Sequence, residues 1–128
     1  MNGERYLLDT NALIYLLAGT HDVTKHIQQA TWLGISVVSQ LEFLSFSSLS
    51  DRDQQLFADF IARVEVVSLE ARQTALLSMV IDIRRTYNLK LPDAIIAATA
   101  QHYRATLISS DKHFREIPNL NVIIPKIR

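Results

Sequence analysis

Four carboxylates stand in largely apolar surroundings: Asp9 in "YLLDTNALIYLL", Glu42 in "VVSQLEFL", Asp93 in "LPDAIIAATA" and Asp111 in "TLISSDKHF". A charged carboxylate is costly to bury, and several gathered in a partly dry crevice repel one another unless something positive lies between them. A cation resolves that conflict. The chain has no cysteine, which excludes a thiolate zinc site and a disulfide frame. An oxygen-only ligand set suits a hard ion, so Mg2+ or Mn2+ is expected rather than zinc.

Each acid also has a local explanation. Asp9 can cap a helix beginning at Thr10, and Glu42 stands three residues after Ser39, the spacing of a capping box. Asp93 follows Pro92 at a helix start, where negative charge meets the positive end of the helix dipole. Asp111 can be a turn residue. What favours a shared role is that the elements around these acids deliver them to one place.

Those elements alternate. "RYLLD" reads as a short buried strand, and "TNALIYLLAG" as a helix ending at Gly19, since glycine commonly follows the last helical turn. A second helix is expected over Asp22 to Thr31. "LGISVV", β-branched and apolar on both faces, reads as a second strand; "SQLEFLSFSSL" then turns helical. Leu56, Phe57, Phe60, Ile61 and Val64 recur at three- and four-residue steps in an amphipathic helix capped by Ser50 or Asp51. "VEVVSL" is a third strand, and Glu70 to Tyr87 carries one apolar stripe. "LPDAIIAATAQHY" opens another helix with Pro92 in its first turn, and "ATLISS" and "NVIIP" supply the last two strands. Strands alternating with helices imply an α/β sandwich of layers around a parallel sheet. Asp9, Glu42 and Asp111 each follow a strand, so a parallel sheet places them along one edge, where open α/β sheets bind ligands near the reversal of strand order. Asp93 reaches the same crevice if its helix packs beside the strand at Leu107.

Bulk properties narrow the partners. With 128 residues, 48% of them hydrophobic and 20% charged, the chain is expected to form a single globular domain over residues 1–128. Thirteen basic residues balance thirteen acidic ones, so no overall field draws the chain to nucleic acid or membrane, and any such contact needs a local patch. The longest apolar runs, such as Ala12 to Ala18, fall short of a membrane span. A soluble, cytoplasmic protein without a membrane partner is the expectation.

Taken together, "LLDTNALIYLL", the glutamate in "SVVSQLEFLS", the "LPDAIIAATA" helix and the strand "ATLISSDKHF" resemble a PIN domain, of the compact kind found as VapC-type toxins of toxin–antitoxin pairs. The likeness spans nearly the whole chain and rests on four separated motifs in order. It implies a parallel five-stranded sheet between helices and a metal-dependent endoribonuclease. By position, the family's acidic residues fall on Asp9, Glu42, Asp93 and Asp111, as catalytic residues and ligands of one or two Mg2+ or Mn2+ ions. Its supporting polar residues fall on Thr10, with Asn11 beside it, and on Ser109. The chain departs from the pattern at His113, where many relatives carry a further acid, and at Ser109, where threonine is commoner. Positive charge for RNA at the rim would come from Arg84, Arg85, Lys90, Lys112 and Arg115, with His113 an extra donor; scattered basic residues also form ordinary solvated faces. Phe43, Phe46, Leu49, Phe57 and Phe60, on two successive helices, read as core. The resemblance implies two uses for any excess: a homodimer interface, and a groove for a segment of a cognate antitoxin.

Other classes fit less well. A phosphoacceptor receiver domain has adjacent acids after its first strand and an aspartate after its third, whereas "YLLDTN" has one acid and "VEVVSLE" no aspartate. A phosphatase of the haloacid dehalogenase type needs a second aspartate at the position of Asn11. The remaining alternative is a catalytically inactive PIN-like module that binds RNA or protein. Four intact acids argue against it, because a binding crevice gains nothing from their repulsion.

Overall fold

Alternating side chains give the first strand two buried faces. A computed structural model of the chain describes residues 4–127. Glu4–Leu8 forms β1, with Tyr6 and Leu8 packed into the core on one side of the sheet and Leu7 into the core on the other. The chain continues through α1 (Thr10–Leu17), α2 (His21–Ile27), β2 (Ala30–Ser36), α3 (Val37–Leu44), α4 (Asp51–Ile61), β3 (Glu65–Val67), α5 (Thr74–Tyr87), α6 (Leu91–His102), β4 (Thr106–Ile108), a 3-10 helix (Lys112–Glu116) and β5 (Val122–Ile123). All strand pairs are parallel, in the order β3-β2-β1-β4-β5. This is the expected α/β architecture, a five-stranded parallel sheet flanked by helices. Its strand order reverses between β1 and β4.

The two cores differ. Tyr6, Leu8, Ile35 and Ile108 meet Leu13, Val23, Phe43 and Phe57 from α1 to α4, and Phe43 stacks on Phe57 with centroids 4.7 Å apart. On the other face, Leu7 and Leu107 meet α5 and α6. Every residue from Ala94 to Ala100 is buried, so α6 has no solvent face over two turns, and its alanines let neighbouring backbones approach closely.

Several boundaries move from those expected. Val37 and Val38 belong to α3, because the Ser36 hydroxyl accepts the Val38 N–H at 3.0 Å and caps the helix at that point. A local cap overrides β-branched propensity. α2 ends at Ile27 because Ala30 already pairs with Glu4 in the sheet. α5 starts at Thr74, after a turn in which the Gln73 side chain accepts the Glu70 N–H at 2.6 Å. Ser50, not Asp51, caps α4, through a reciprocal capping box with Asp53. Gly19 follows the end of α1 with φ +81°, as its residue type implies.

At the edge where β1 begins, Trp32 lies along β2 over Gly34 and stacks on Tyr103 (5.9 Å, 8° between planes). The Arg5 guanidinium sits 4.7 Å from the Trp32 ring centre and donates to the Tyr103 carbonyl at 2.9 Å. A Cβ on Gly34 would lie 2.6 Å from the indole, which these contacts hold from behind. Gly34→Ala is therefore expected to destabilise the fold by about 1–3 kcal/mol in urea or thermal unfolding. An unchanged midpoint would show that the indole moves freely.

Candidate active site

Where β1 ends, the chain enters α1 through Asp9. Its Oδ1 accepts the Ala12 N–H at 2.8 Å, so Asp9 is the helix cap that the sequence allowed. The side chain is only 6% exposed. The Asp9 N–H donates to Ile108 O at 3.2 Å, tying the end of β1 to the end of β4 at the point of strand reversal. Beyond β4, the buried Ser109 hydroxyl accepts the Asp111 N–H at 3.0 Å. The same hydroxyl, facing the Asp9 carboxylate, stabilises its charge.

The other acids arrive from different elements. Glu42 projects from α3 and accepts the Thr10 hydroxyl at 2.5 Å; that hydroxyl also lies 3.2 Å from the buried Ser39 Oγ. Ser39 is inside α3, so the capping box that its spacing with Glu42 suggested does not form. It serves a cross-helix network instead. Asp93 lies in the first turn of α6, and Lys90 is the nearby cation that favours its charge. Asp111 caps the 3-10 helix through the His113 N–H, and its Oδ1 also meets His113 Nδ1, both at 2.9 Å.

Electrostatics couple these groups. Burial pushes the Asp9 carboxyl above its ordinary value of 3.8, the Ser109 hydroxyl and Ala12 amide pull it back, and the Asp93 and Asp111 charges raise it again. Asp93 is also raised, by burial first and then by the Asp111 and Glu42 charges, with only Lys90 opposing. Asp9 and Asp93 thus feel their acidic neighbours across the crevice. Among the described residues, no three His, Cys, Asp or Glu side chains converge closely enough to grip one ion as they stand. The donor set still fits a hard cation in kind: all oxygen, mutually repelling and drawn from four elements. Asn11 sits exposed in the first turn of α1.

A cavity of ≈ 570 Å³ opens beside Asp93 and Asp111, with Lys90 and His113 on its wall. In a 3-10 helix, residues three apart eclipse. His113 therefore shares a side with Glu116, which also lines the cavity, whereas Lys112 and Arg115 do not line it. Arg84 and Arg85 are exposed on the last turn of α5, outside that lining. Sequence reading missed Ser39, Glu116 and the run Thr86–Asn88. A signal for Glu116 was its distance of three from His113. The Thr86–Asn88 segment follows from Asn88, which turns the chain in the left-handed conformation (φ 52°) between α5 and α6.

Comparison with known proteins adds three findings. The model of the PIN domain family matches residues 6–120. A toxin–antitoxin complex from Klebsiella pneumoniae contains a chain 28% identical to this one, covering 94% of this chain and 98% of that one, with TM-score 0.78. VapBC2 from Rickettsia felis, bound to a promoter DNA fragment, is 23% identical over 92% of this chain and 96% of the other (TM-score 0.75). VapBC-1 from nontypeable Haemophilus influenzae is 22% identical over the same shares (TM-score 0.74). No curated protein matches significantly.

The raised carboxyls make a stability prediction. A group that titrates higher in the folded than in the unfolded chain favours folding while protonated, and that advantage is lost as pH rises from 3.8 through the folded value. Ionised Asp9 and Asp93 therefore weaken the fold at neutral pH. Asn is as good a helix cap as Asp, so Asp9→Asn is expected to add about 1 kcal/mol at pH 7, a few degrees in Tm. The gain should vanish below pH 3.8, where Asp9 is protonated in both states. A lower Tm at pH 7 in calorimetry would mean that the charge is satisfied as it stands.

Proposed function

From the premise that this chain belongs to the PIN domain family, we propose that it is a metal-dependent endoribonuclease, the VapC-like toxin of a toxin–antitoxin pair. The observation that carries this reading is the crevice at the strand reversal. There the caps of α1 and of the 3-10 helix, Asp9 and Asp111, meet Glu42 of α3 and Asp93 of α6; burial and the neighbouring charges raise the proton affinity of Asp9 and Asp93, and Lys90 is the one cation opposing this at Asp93. Asp9, Glu42, Asp93 and Asp111 would hold Mg2+ or Mn2+, which supplies Lewis acidity, an activated water and charge neutralisation for hydrolysis of a phosphodiester.

The chain's own residues do the positioning. Asp9 is fixed by Ala12 and Ser109, so its carboxylate is held in one orientation for binding. Thr10 and Ser39 orient Glu42. Lys90 and His113 stand where they can meet a phosphate oxygen, and Arg84, Arg85, Lys112 and Arg115 contribute looser, salt-sensitive attraction.

For an antitoxin, the support is a groove of ≈ 260 Å³ between α1, α3 and α4, lined by Ile14, Leu17, Phe43, Phe46 and Leu49, with Phe46 43% exposed. An apolar segment of a cognate antitoxin fits that lining, consistent with the Klebsiella relative being described as part of a toxin–antitoxin complex. Exposed Leu41, Ile81 and Leu91 are apolar surface that a second copy of the chain would cover in a homodimer.

Incubating the purified chain with a pool of structured cellular RNAs tests the activity. Discrete cuts are expected with Mg2+ or Mn2+ and none with chelator. Asp9→Asn and Asp93→Asn should each lower cleavage by more than the roughly 10–100-fold typical of losing a partner outside the ligand shell. A folded Asp9→Asn variant that cuts like the wild type would remove Asp9 from the mechanism. Tight RNA binding without any metal-dependent cut would favour the binding module. For the partner, Phe46→Asp should abolish co-purification with the protein encoded beside this chain while leaving the unfolding free energy within about 0.5 kcal/mol of wild type; retained capture would move the docking site off this groove.

A further inference from the structure

The crevice does not end at the carboxylates. A second cavity of ≈ 260 Å³, bounded by Asp82, Gln101 and Asn119, adjoins the one at Asp93 and Asp111, and both are lined by Thr86 and Tyr87. Tyr87 is partly buried, packed on its inner side against the core beneath α5 and α6. Tyr87 thus packs against the core and lines both spaces. Asn88 terminates α5 in the left-handed conformation and turns the chain into α6, which presents Tyr87 at the rim instead of inside the helix pair. The far wall is fixed as well, because Gln101 Nε2 donates to the Pro118 carbonyl at 2.9 Å.

Dimensions and chemistry select the occupant. Asp93 and Gln101 are eight residues apart on α6, or about 12 Å, against about 3.4 Å per stacked nucleotide of one strand. A short run of single strand fits, whereas a duplex is too wide for a trough of this volume. The distal lining carries a carboxylate, Asp82, and two amides, Gln101 and Asn119, but no cation. A phosphate would be repelled there. A base, with donor-bearing edge and flat face, would be accepted, and aromatic rings are the usual platform for unstacked bases.

We propose that Tyr87 is a base-stacking, specificity-determining residue, and that the joined cavities take a single-stranded RNA segment flanking the scissile phosphate with bases inward and phosphates toward solvent. This rests on the ribonuclease reading and extends it from the reacting phosphate to the neighbouring nucleotides. Loss of one base–aromatic stack costs roughly 1–3 kcal/mol, which is about 5- to 150-fold in affinity.

The test measures fluorescence anisotropy of labelled random-sequence single-stranded oligoribonucleotides in chelator, so that binding is read without cleavage. Wild type, Tyr87→Phe, Tyr87→Leu and Thr86→Glu are compared, and Thr86 is an exposed residue that lines both cavities. Tyr87→Phe is expected to bind within about twofold of wild type, because it keeps the ring. Tyr87→Leu should bind about tenfold more weakly, and with metal restored its KM should rise while kcat holds. Thr86→Glu should weaken binding by setting a carboxylate against the phosphates of a strand lying across both cavities, and it decides the matter if Tyr87→Leu proves unfolded in a thermal melt. Wild-type binding with both Tyr87→Leu and Thr86→Glu unaffected, or equal affinity for a fully paired duplex, overturns the inference while leaving the nuclease reading intact. A wild-type chain that neither binds nor cuts any RNA sinks both.

Discussion

One oxygen of the Asp9 carboxylate closes the first turn of α1, and the geometry of the crevice follows from that bond. An acceptor committed to the Ala12 amide cannot swing toward solvent, so the charge stays buried at the junction of β1 and β4. The backbone bond from Asp9 to Ile108 then fixes where β4 ends, and Ser109 and Asp111 follow within three residues. Helix capping and crevice geometry are therefore one interaction. The local explanation for Asp9 and the chemical one describe the same carboxylate.

The remaining carboxylates are held with graded firmness. Asp93 rides on α6, a helix enclosed over two turns, so its backbone is placed by packing alone. Glu42 depends on a short hydrogen bond from Thr10, itself the first residue of α1. Asp111 rests on the 3-10 helix and shares one oxygen between the His113 amide and imidazole. Repulsion among the four is tolerated because each is anchored by a different element, and no single element bears the whole electrostatic cost.

Much of this was readable in the chain because periodicity and short-range chemistry point the same way. The parallel sheet and the shared edge follow from alternating β and α segments, and the end of α1 at Gly19 and the start of α6 at Pro92 from residue type. Boundaries failed where a hydroxyl competed with propensity. Ser36 turns Val37 and Val38 into helix, and the Gln73 side chain holds Glu70 in a turn. Ser39 misled for a related reason: its distance to Glu42 is that of a cap, but the helix had already begun two residues earlier, at Val37. Tyr87 and Glu116 were hidden differently. Tyr87 sits on a regular apolar stripe, and only the turn at Asn88 shows that part of its ring is left uncovered. Glu116 belongs to a 3-10 helix too short to leave a period in the sequence.

The enclosure of α6 has a further consequence, for how the sequence can drift. Ala94 to Ala100 offer no outward position, so a methylene added there must be removed from the sheet or from α5, and change proceeds by compensated pairs. The 3-10 helix is exposed at four of its five positions, Phe114 being the buried one. Its residues can be exchanged singly. The wall of the crevice can therefore acquire new chemistry one residue at a time while the helix carrying Asp93 stays where it is.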